Sequence, residues 1–354
     1  MDWTSKRVLV TGGASFIGSA VVDRLLELGA TNVRIVDDFS SGTYENIQRN
    51  IDLGRVEVVS ADLLTPGVAD SCVNGIDIVF HLAAIHGGRG YVDLHQAECA
   101  KNLALDGNLI QAGYRADIEK FVFASSGCVY PLHIQQDTER DLYLSEDMVG
   151  PPYDADGMYG WAKLMTEMTL KAYYRDFGMK SASCRFFTVY GERGVENHAV
   201  MAMIGRAFIG QNPFEVWGDG TQIRNWTYVG DIVHGMILSA ERIDDGTAVN
   251  LGTTERTRVL EAVHEVLSYT GHKAEIRLLR DMPVGPLNRV ASTELAAKTL
   301  DWEPKIKFID GLHRTIDWYY KTKNRDRVRS YLGRMLTERG NVNSTSPDEI
   351  AIAR

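Results

Sequence analysis

The stretch that most constrains this chain lies near its start. There the β-branched run Arg7–Thr11 (RVLVT) passes through Gly12-Gly13-Ala14-Ser15 into an apolar-periodic segment that runs from Phe16 to Leu28 and stops at Gly29. Strand, glycine turn and helix in that order open a dinucleotide-binding unit. Gly12 permits the tight turn, and Gly18 lets the helix approach the sheet closely. A diphosphate then rests on the free backbone N–H groups at the helix N-terminus, so Gly12, Ser15, Phe16, Ile17 and Gly18 are the expected cradle. Ser15 stands where a glycine is usual, so its side chain has to point away from the phosphates.

Further strand-like runs follow at Asn32–Val36, Val56–Val59, Ile76–Leu82 and Lys120–Ala124, with helical patterns between several of them. This alternation predicts an α/β fold, a Rossmann-type doubly wound parallel sheet covered on both faces. Asp37 closes the second strand, where a carboxylate accepts hydrogen bonds from ribose hydroxyls and repels a 2′-phosphate, which favours NAD over NADP. Asp62 and Leu63 after the third strand, and Leu82, Ala83 and Ala84 after the fourth, are expected beside the cofactor. Gln135 to Gly157, rich in Asp, Pro and Gly, reads as an excursion before a helix from Tyr159 to about Phe177 and a strand at Ala182–Phe187. We therefore expect a mainly cofactor-binding domain over residues 1–187. A smaller α/β substrate lobe, mainly 188–320, follows with some chain crossing between the two, and a tail over 321–354 is first basic and helical, then polar and flexible.

A net charge of −9 gives no general attraction to nucleic acid or to an acidic membrane surface, so any phosphate has to be held locally. Cys72, Cys99, Cys128 and Cys184 are scattered without a C-x-x-C pair, which points to reduced thiols and to no metal site. No apolar run approaches the ~18 residues of a membrane span, and no signal-peptide core precedes the first strand. A cytoplasmic enzyme is expected.

The segments TGGASFIGS, VDDFSSG, HLAA, SSGCVY, YGWAK, VYGERG and WGDGTQIRNWTYVGDIV, in this order, resemble the extended short-chain dehydrogenase/reductase superfamily of nucleotide-sugar epimerases and dehydratases. The resemblance covers about residues 5 to 320. Tyr159 and Lys163 form a Y-x-x-x-K pair on one helix face, where an ammonium lowers the phenol pKa. Ser126, at the end of FVFAS, is placed to hydrogen-bond the reacting oxygen and Tyr159. The resemblance gives these three the oxidation of a sugar, usually at C4, by hydride transfer to bound NAD. It also places Ser125 and Asn102 at the cofactor. Thr188 falls at the substrate, where it replaces an asparagine common in the family.

Family members that eliminate water or carbon dioxide carry an acidic residue close after the catalytic Ser/Thr, whereas this chain has Gly127 and Cys128. Ser125 to Pro131 is instead similar to the segment of GDP-mannose 3,5-epimerases and GDP-fucose synthases, in which the cysteine and a distant basic residue exchange protons with the sugar. The resemblance assigns the second role to His198, the loop Gly88-Arg89 to the sugar, and Arg224 and Arg289 to the diphosphate or its ribose. The implied reaction is epimerisation of a GDP-mannose-type nucleotide sugar at C3 and/or C5. A simple 4-epimerase and a non-catalytic NAD-binding protein are the alternatives, and Asp37 disfavours a net NADPH-consuming reductase. The resemblance further implies a homodimer through helices near 100–113 and 159–177.

Overall fold

The computed structural model of the chain describes residues 1–339. Its centre is a seven-stranded, all-parallel sheet built from β1 (Arg7–Thr11), β2 (Asn32–Asp37), β3 (Val56–Ser60), β4 (Ile78–His81), β5 (Lys120–Ser126), β6 (Ser181–Phe186) and the strand Asp245–Leu251. From one edge to the other the order is Asp245–Leu251, β6, β5, β4, β1, β2, β3. Every residue of β4 is buried, as is β5 from Lys120 to Ser125, because helices cover both faces and leave no side of these strands for polar residues. Helices Phe16–Glu27 and Val229–Arg242 pack on one face through Val21, Leu25, Ile232 and Met236. Helices Val68–Val73, Asn102–Arg115 and Gly157–Phe177 cover the other through Val73, Leu105, Leu109 and Leu170. Chain direction across the sheet reverses at β1, which has β4 on one side and β2 on the other, and a crevice forms at the strands' carboxyl ends there.

Strand four ends at His81 rather than at Leu82. Its buried imidazole lies 2.7 Å from Thr11 Oγ1 and 3.0 Å from Asp106 Oδ1, and the Ala83 N–H donates back to Thr11 Oγ1. These bonds divert Leu82–Ala84 toward β1.

The second lobe holds helices Ala199–Ile209, Val259–Thr270 and Phe308–Thr322 around Phe214, Trp226 and Tyr319. The helix Val229–Arg242 and the strand Asp245–Leu251 cross back to the main sheet. In the other direction the excursion reaches the second lobe, with Leu144 N–H donating to the Val290 carbonyl. The basic stretch after Tyr320 forms a helix, Arg325–Met335, whose Val328, Tyr331, Leu332 and Met335 pack into the second lobe. The polar end expected to be flexible lies outside the described residues. Among the described residues no helix is long and apolar enough to cross a membrane, and no group of side chains is arranged for a metal ion.

Candidate active site

A cavity of about 690 Å³ lies between the lobes, within the range of small-molecule sites. Its floor on the sheet side is the turn after β1. Gly12 has φ of +67°, and a Cβ on Gly18 would stand 2.1 Å from the Gly12 carbonyl oxygen, so no other residue fits at position 18 without moving the turn. Ser15 is the N-cap residue of helix Phe16–Glu27, yet its side chain makes no cap bond. Its hydroxyl instead faces Asp37 Oδ2 at 3.4 Å, leaving the helix N-terminus open to the cavity. Gly12, Ser15, Phe16, Ile17 and Gly18 all line that cavity, as do Leu82, Ala84 and Ser125, so the cradle suits a dinucleotide diphosphate.

Several residues expected at the cofactor do not line the cavity. Asp37 is turned inward and does not line the cavity; its carboxylate accepts the N–H groups of Ala14 (2.9 Å) and Phe39 (2.9 Å), and burial raises its pKa. Its structural task is to brace the glycine turn against the end of β2. Asp62 is exposed and accepts the Leu64 N–H at 2.8 Å, an ordinary loop turn, and Leu63 packs in the core. Ala83 is held by Thr11 and does not line the cavity. Asn102 is fully buried: it accepts the Ile85 N–H and donates to the Ile85 and Cys99 carbonyls, so it shapes the loop after β4 without facing the cavity.

Ser126, Tyr159 and Lys163 do converge. Ser126 ends β5, Tyr159 and Lys163 project from helix Gly157–Phe177, and all three line the cavity, with the Ser126 hydroxyl bonded to the phenol. Gly160 makes this approach possible, since a Cβ there would stand 2.3 Å from the Cys128 carbonyl oxygen. Lys163 Nζ lies 4.5 Å from the Phe123 ring centroid and 5.7 Å from that of Tyr159. The expected lowering of the phenol pKa by this ammonium is not what the protein alone produces. Burial first, then Cys128, Asp106 and Cys99, push Tyr159 up, and the Ser126 bond only partly opposes them. Lys163 is itself pushed down by burial. Within the chain, desolvation therefore outweighs the lysine, and the phenol is held protonated.

Cys128 and His198 reach the same cavity from different elements, the turn after β5 and the N-cap of helix Ala199–Ile209. Cys128 Sγ accepts from Arg289 Nη1 at 3.3 Å. Burial pushes the His198 imidazole down to about 4. A Cβ on Gly88 would overlap the Asn197 carbonyl oxygen at 1.6 Å, so this glycine lets the loop after β4 press against the backbone that presents His198. Arg89, Arg224 and Arg289 line the cavity wall with Gly88 and Thr188. Asp156 bridges two of these guanidiniums, accepting from Arg89 Nη1 at 2.8 Å and Arg289 Nη2 at 3.0 Å. Arg224 donates only to backbone carbonyls, and its pKa is lowered by burial and then by Arg289 and Arg89.

His86, Arg206, Gln222 and Trp226 are among the cavity groups that the sequence does not single out. His86 has its ring centroid 6.3 Å from that of Tyr159 and 5.8 Å from that of His198. Arg206 Nε, Gln222 Oε1 and Trp226 Nε1 are buried without hydrogen-bond partners among the described residues, and all three residues line the cavity. Gln222 and Trp226 belong to the motif WGDGTQIRNW, which was a signal for them. Arg206 sits among apolar helix neighbours with nothing local to mark it.

The NAD dependent epimerase/dehydratase family model matches residues 8–252 of this sequence. The chain belongs to that family. It is an NAD-dependent enzyme. It is 32% identical over 326 residues to GDP-mannose 3,5-epimerase 1 of Oryza sativa subsp. japonica, covering 89% of this chain and 82% of the relative. Two solved relatives share its fold. The UDP-glucose 4-epimerase of Thermotoga maritima, solved with UDP-glucose, superposes with a TM-score of 0.78 at 28% identity, covering 89% of this chain and 99% of the relative. The UDP-glucuronic acid 4-epimerase of Bacillus cereus, solved with UDP-glucuronic acid and NAD, gives 0.80 at 28% identity, covering 90% and 100%. These likenesses agree with the parallel Rossmann-type sheet expected from the sequence.

Proposed function

We propose that this enzyme epimerises a nucleotide-diphosphate hexose of the GDP-mannose type at C3 and/or C5, through transient oxidation at C4. The observation that carries the reading is the placement of Cys128 and His198, two groups able to exchange protons, on the cavity that also holds Ser126, Tyr159 and Lys163. The solved 4-epimerases bind UDP sugars, and the rice relative is named for the 3,5 reaction.

Bound NAD supplies the group that takes up and returns the hydride. Tyr159 accepts the hydroxyl proton at C4, with Ser126 orienting that oxygen and Lys163 stabilising the phenolate as it forms. A C4 ketone acidifies the hydrogens on its neighbouring carbons, and inversion then needs a base on one face and an acid on the other. A thiol and an imidazole suit these tasks. Arg89, Arg224 and Arg289, opposed by Asp156, leave the wall rich in positive charge, as a diphosphate requires. Arg206 and Gln222 complete the nucleotide end. We assign the subunit contact of a homodimer to helices Asn102–Arg115 and Gly157–Phe177, which leave Leu103, Trp161, Met165 and Met168 exposed.

The test is incubation with GDP-mannose in deuterated water, followed by mass spectrometry and proton NMR. Solvent deuterium at C3 or C5 is expected, with Cys128→Ser and His198→Ala each lowering its incorporation by about 10²- to 10⁴-fold. A new epimer without deuterium would show direct hydride return at C4 and overturn the assignment of Cys128 and His198. No change at all would exclude GDP-mannose as substrate.

The depressed pKa of His198 adds a second expectation. The imidazole is neutral, and able to act as base, above about pH 4 rather than above its ordinary 6.5. The acid limb of kcat/KM due to this group is therefore expected near pH 4, and a limb at 6.5 that disappears in His198→Ala would contradict it. Between pH 6.5 and about 4 the unfolded chain binds a proton that folded His198 refuses, so this group removes stability as pH falls through that window.

A further inference from the structure

The C-terminal segment reaches into the cofactor side of the cavity. Helix Arg325–Met335 is anchored by its apolar face and by the Tyr331 hydroxyl, which donates to Glu196 Oε1 at 2.9 Å. Beyond it, Leu336 and Arg339 join Met335 in lining the cavity. The Leu336 carbonyl lies so close to Gly90 that a Cβ there would stand 2.4 Å away, and Glu338 Oε2 is 3.4 Å from His95 Nε2. Gly90 and His95 belong to the region after β4. Arg339 then donates through Nη2 to Ser40 Oγ at 2.8 Å and through Nε to Ser41 Oγ at 3.3 Å, in the loop after β2.

β4 and β2 flank β1 on either side, so a segment that touches both loops passes over the glycine turn between them. That turn presents the open N-terminus of helix Phe16–Glu27. Arg339 has no carboxylate within ion-pair distance among the described residues, and its charge is felt at His86, Tyr91 and Cys99 on the far side of the turn. A guanidinium held by two hydroxyls and, among the described residues, by no carboxylate, above a cradle built for an anion, is suited to a diphosphate.

We propose that Leu336–Arg339 straps the cofactor into the cavity and that Arg339 binds the dinucleotide's diphosphate from the side opposite the glycine turn. This rests on the NAD-binding reading of the site and adds a ligand from outside the sheet. The helix N-terminus supplies only partial charge through its N–H groups, whereas Arg339 brings a full one. Ser40 and Ser41 orient the fork.

The test compares wild type with Arg339→Ala, Arg339→Lys and a chain ended after Met335. It measures release of NAD from the purified holoenzyme and binding of NAD, NADP, ADP-ribose and adenosine to stripped protein. Loss of a charge-assisted contact is expected to weaken NAD and ADP-ribose by about 10- to 100-fold in Arg339→Ala and to speed NAD release to match. Adenosine, which has no diphosphate, is expected to bind unchanged, and lysine is expected to restore part of the loss. Unchanged NAD affinity in Arg339→Ala and in the shortened chain would overturn the proposal. So would a loss confined to NADP, which would make Arg339 a reader of the 2′-phosphate, or an equal loss for adenosine. Failure of the wild-type protein to bind NAD at all would instead refute the cofactor reading on which the proposal stands.

Discussion

Replacing Tyr159 by phenylalanine is expected to lower kcat by about 10²- to 10⁴-fold while leaving stability and NAD retention close to wild type. The ring stays, and with it the packing beside Ser126 and Lys163; only the hydroxyl proposed to carry the C4 proton is lost. Because burial holds the phenol protonated within the chain, the positive charge needed to ionise it has to come from Lys163 together with the oxidised cofactor. Lys163→Met should therefore move the acid limb of the pH profile, on which the phenol ionises, upward as well as slow turnover. Steady-state rates with the sugar nucleotide, beside a thermal unfolding curve for each variant, decide the matter. A Tyr159→Phe enzyme with more than a tenth of wild-type kcat would remove Tyr159 from the reaction.

The largest loss of stability is expected from Glu167→Ala, about 3–5 kcal/mol in urea unfolding. Glu167 lies one helical turn beyond Lys163 and forms a buried ion pair with Arg185 of β6, whose Nη2 donates to Oε2 at 2.8 Å and Nε to Oε1 at 3.0 Å. Ser125 also donates to Glu167, so the carboxylate joins the active-site strand to the catalytic helix. Arg185 continues the network to the Tyr130 hydroxyl, which in turn donates to Asn250 at 2.7 Å. Removing the carboxylate alone strands a buried guanidinium, whereas Glu167→Met combined with Arg185→Met removes both charges and should recover much of the loss. A Glu167→Ala protein within about 1 kcal/mol of wild type would show that water reaches Arg185 and that the pair is not the brace described here.

The parts of this molecule that could be read from sequence are those fixed by short-range physics. β1, the glycine turn and the first helix lie where apolar period and glycine placed them, because strand, tight turn and helix each leave a local mark. The trio Ser126, Tyr159 and Lys163 was visible through spacing on one strand end and one helix face. Asp37 shows the limit. It ends β2 as the sequence suggests, but the direction of its carboxylate depends on the Ala14 and Phe39 N–H groups, which no periodicity reveals. Asn102, expected near the cofactor, bonds to the backbone of Ile85, a partner 17 residues away that no local pattern reveals. His86, Arg206 and Arg339 were missed because each reaches the cavity from an element whose orientation is set by packing elsewhere. For Arg339 that packing is the seat of a C-terminal helix on the second lobe.

Asp156 bears on how readily the enzyme lets its ligand go. A doubly charged group seated among three guanidiniums with no resident counter-ion would be gripped so firmly that departure, not chemistry, would set the pace of turnover. On the proposed seating of the diphosphate at Arg89 and Arg289, which Asp156 already engages, an arriving diphosphate would exchange one anionic partner for another, and a departing one would leave behind side chains with an alternative to return to. The carboxylate would then act as a built-in competitor.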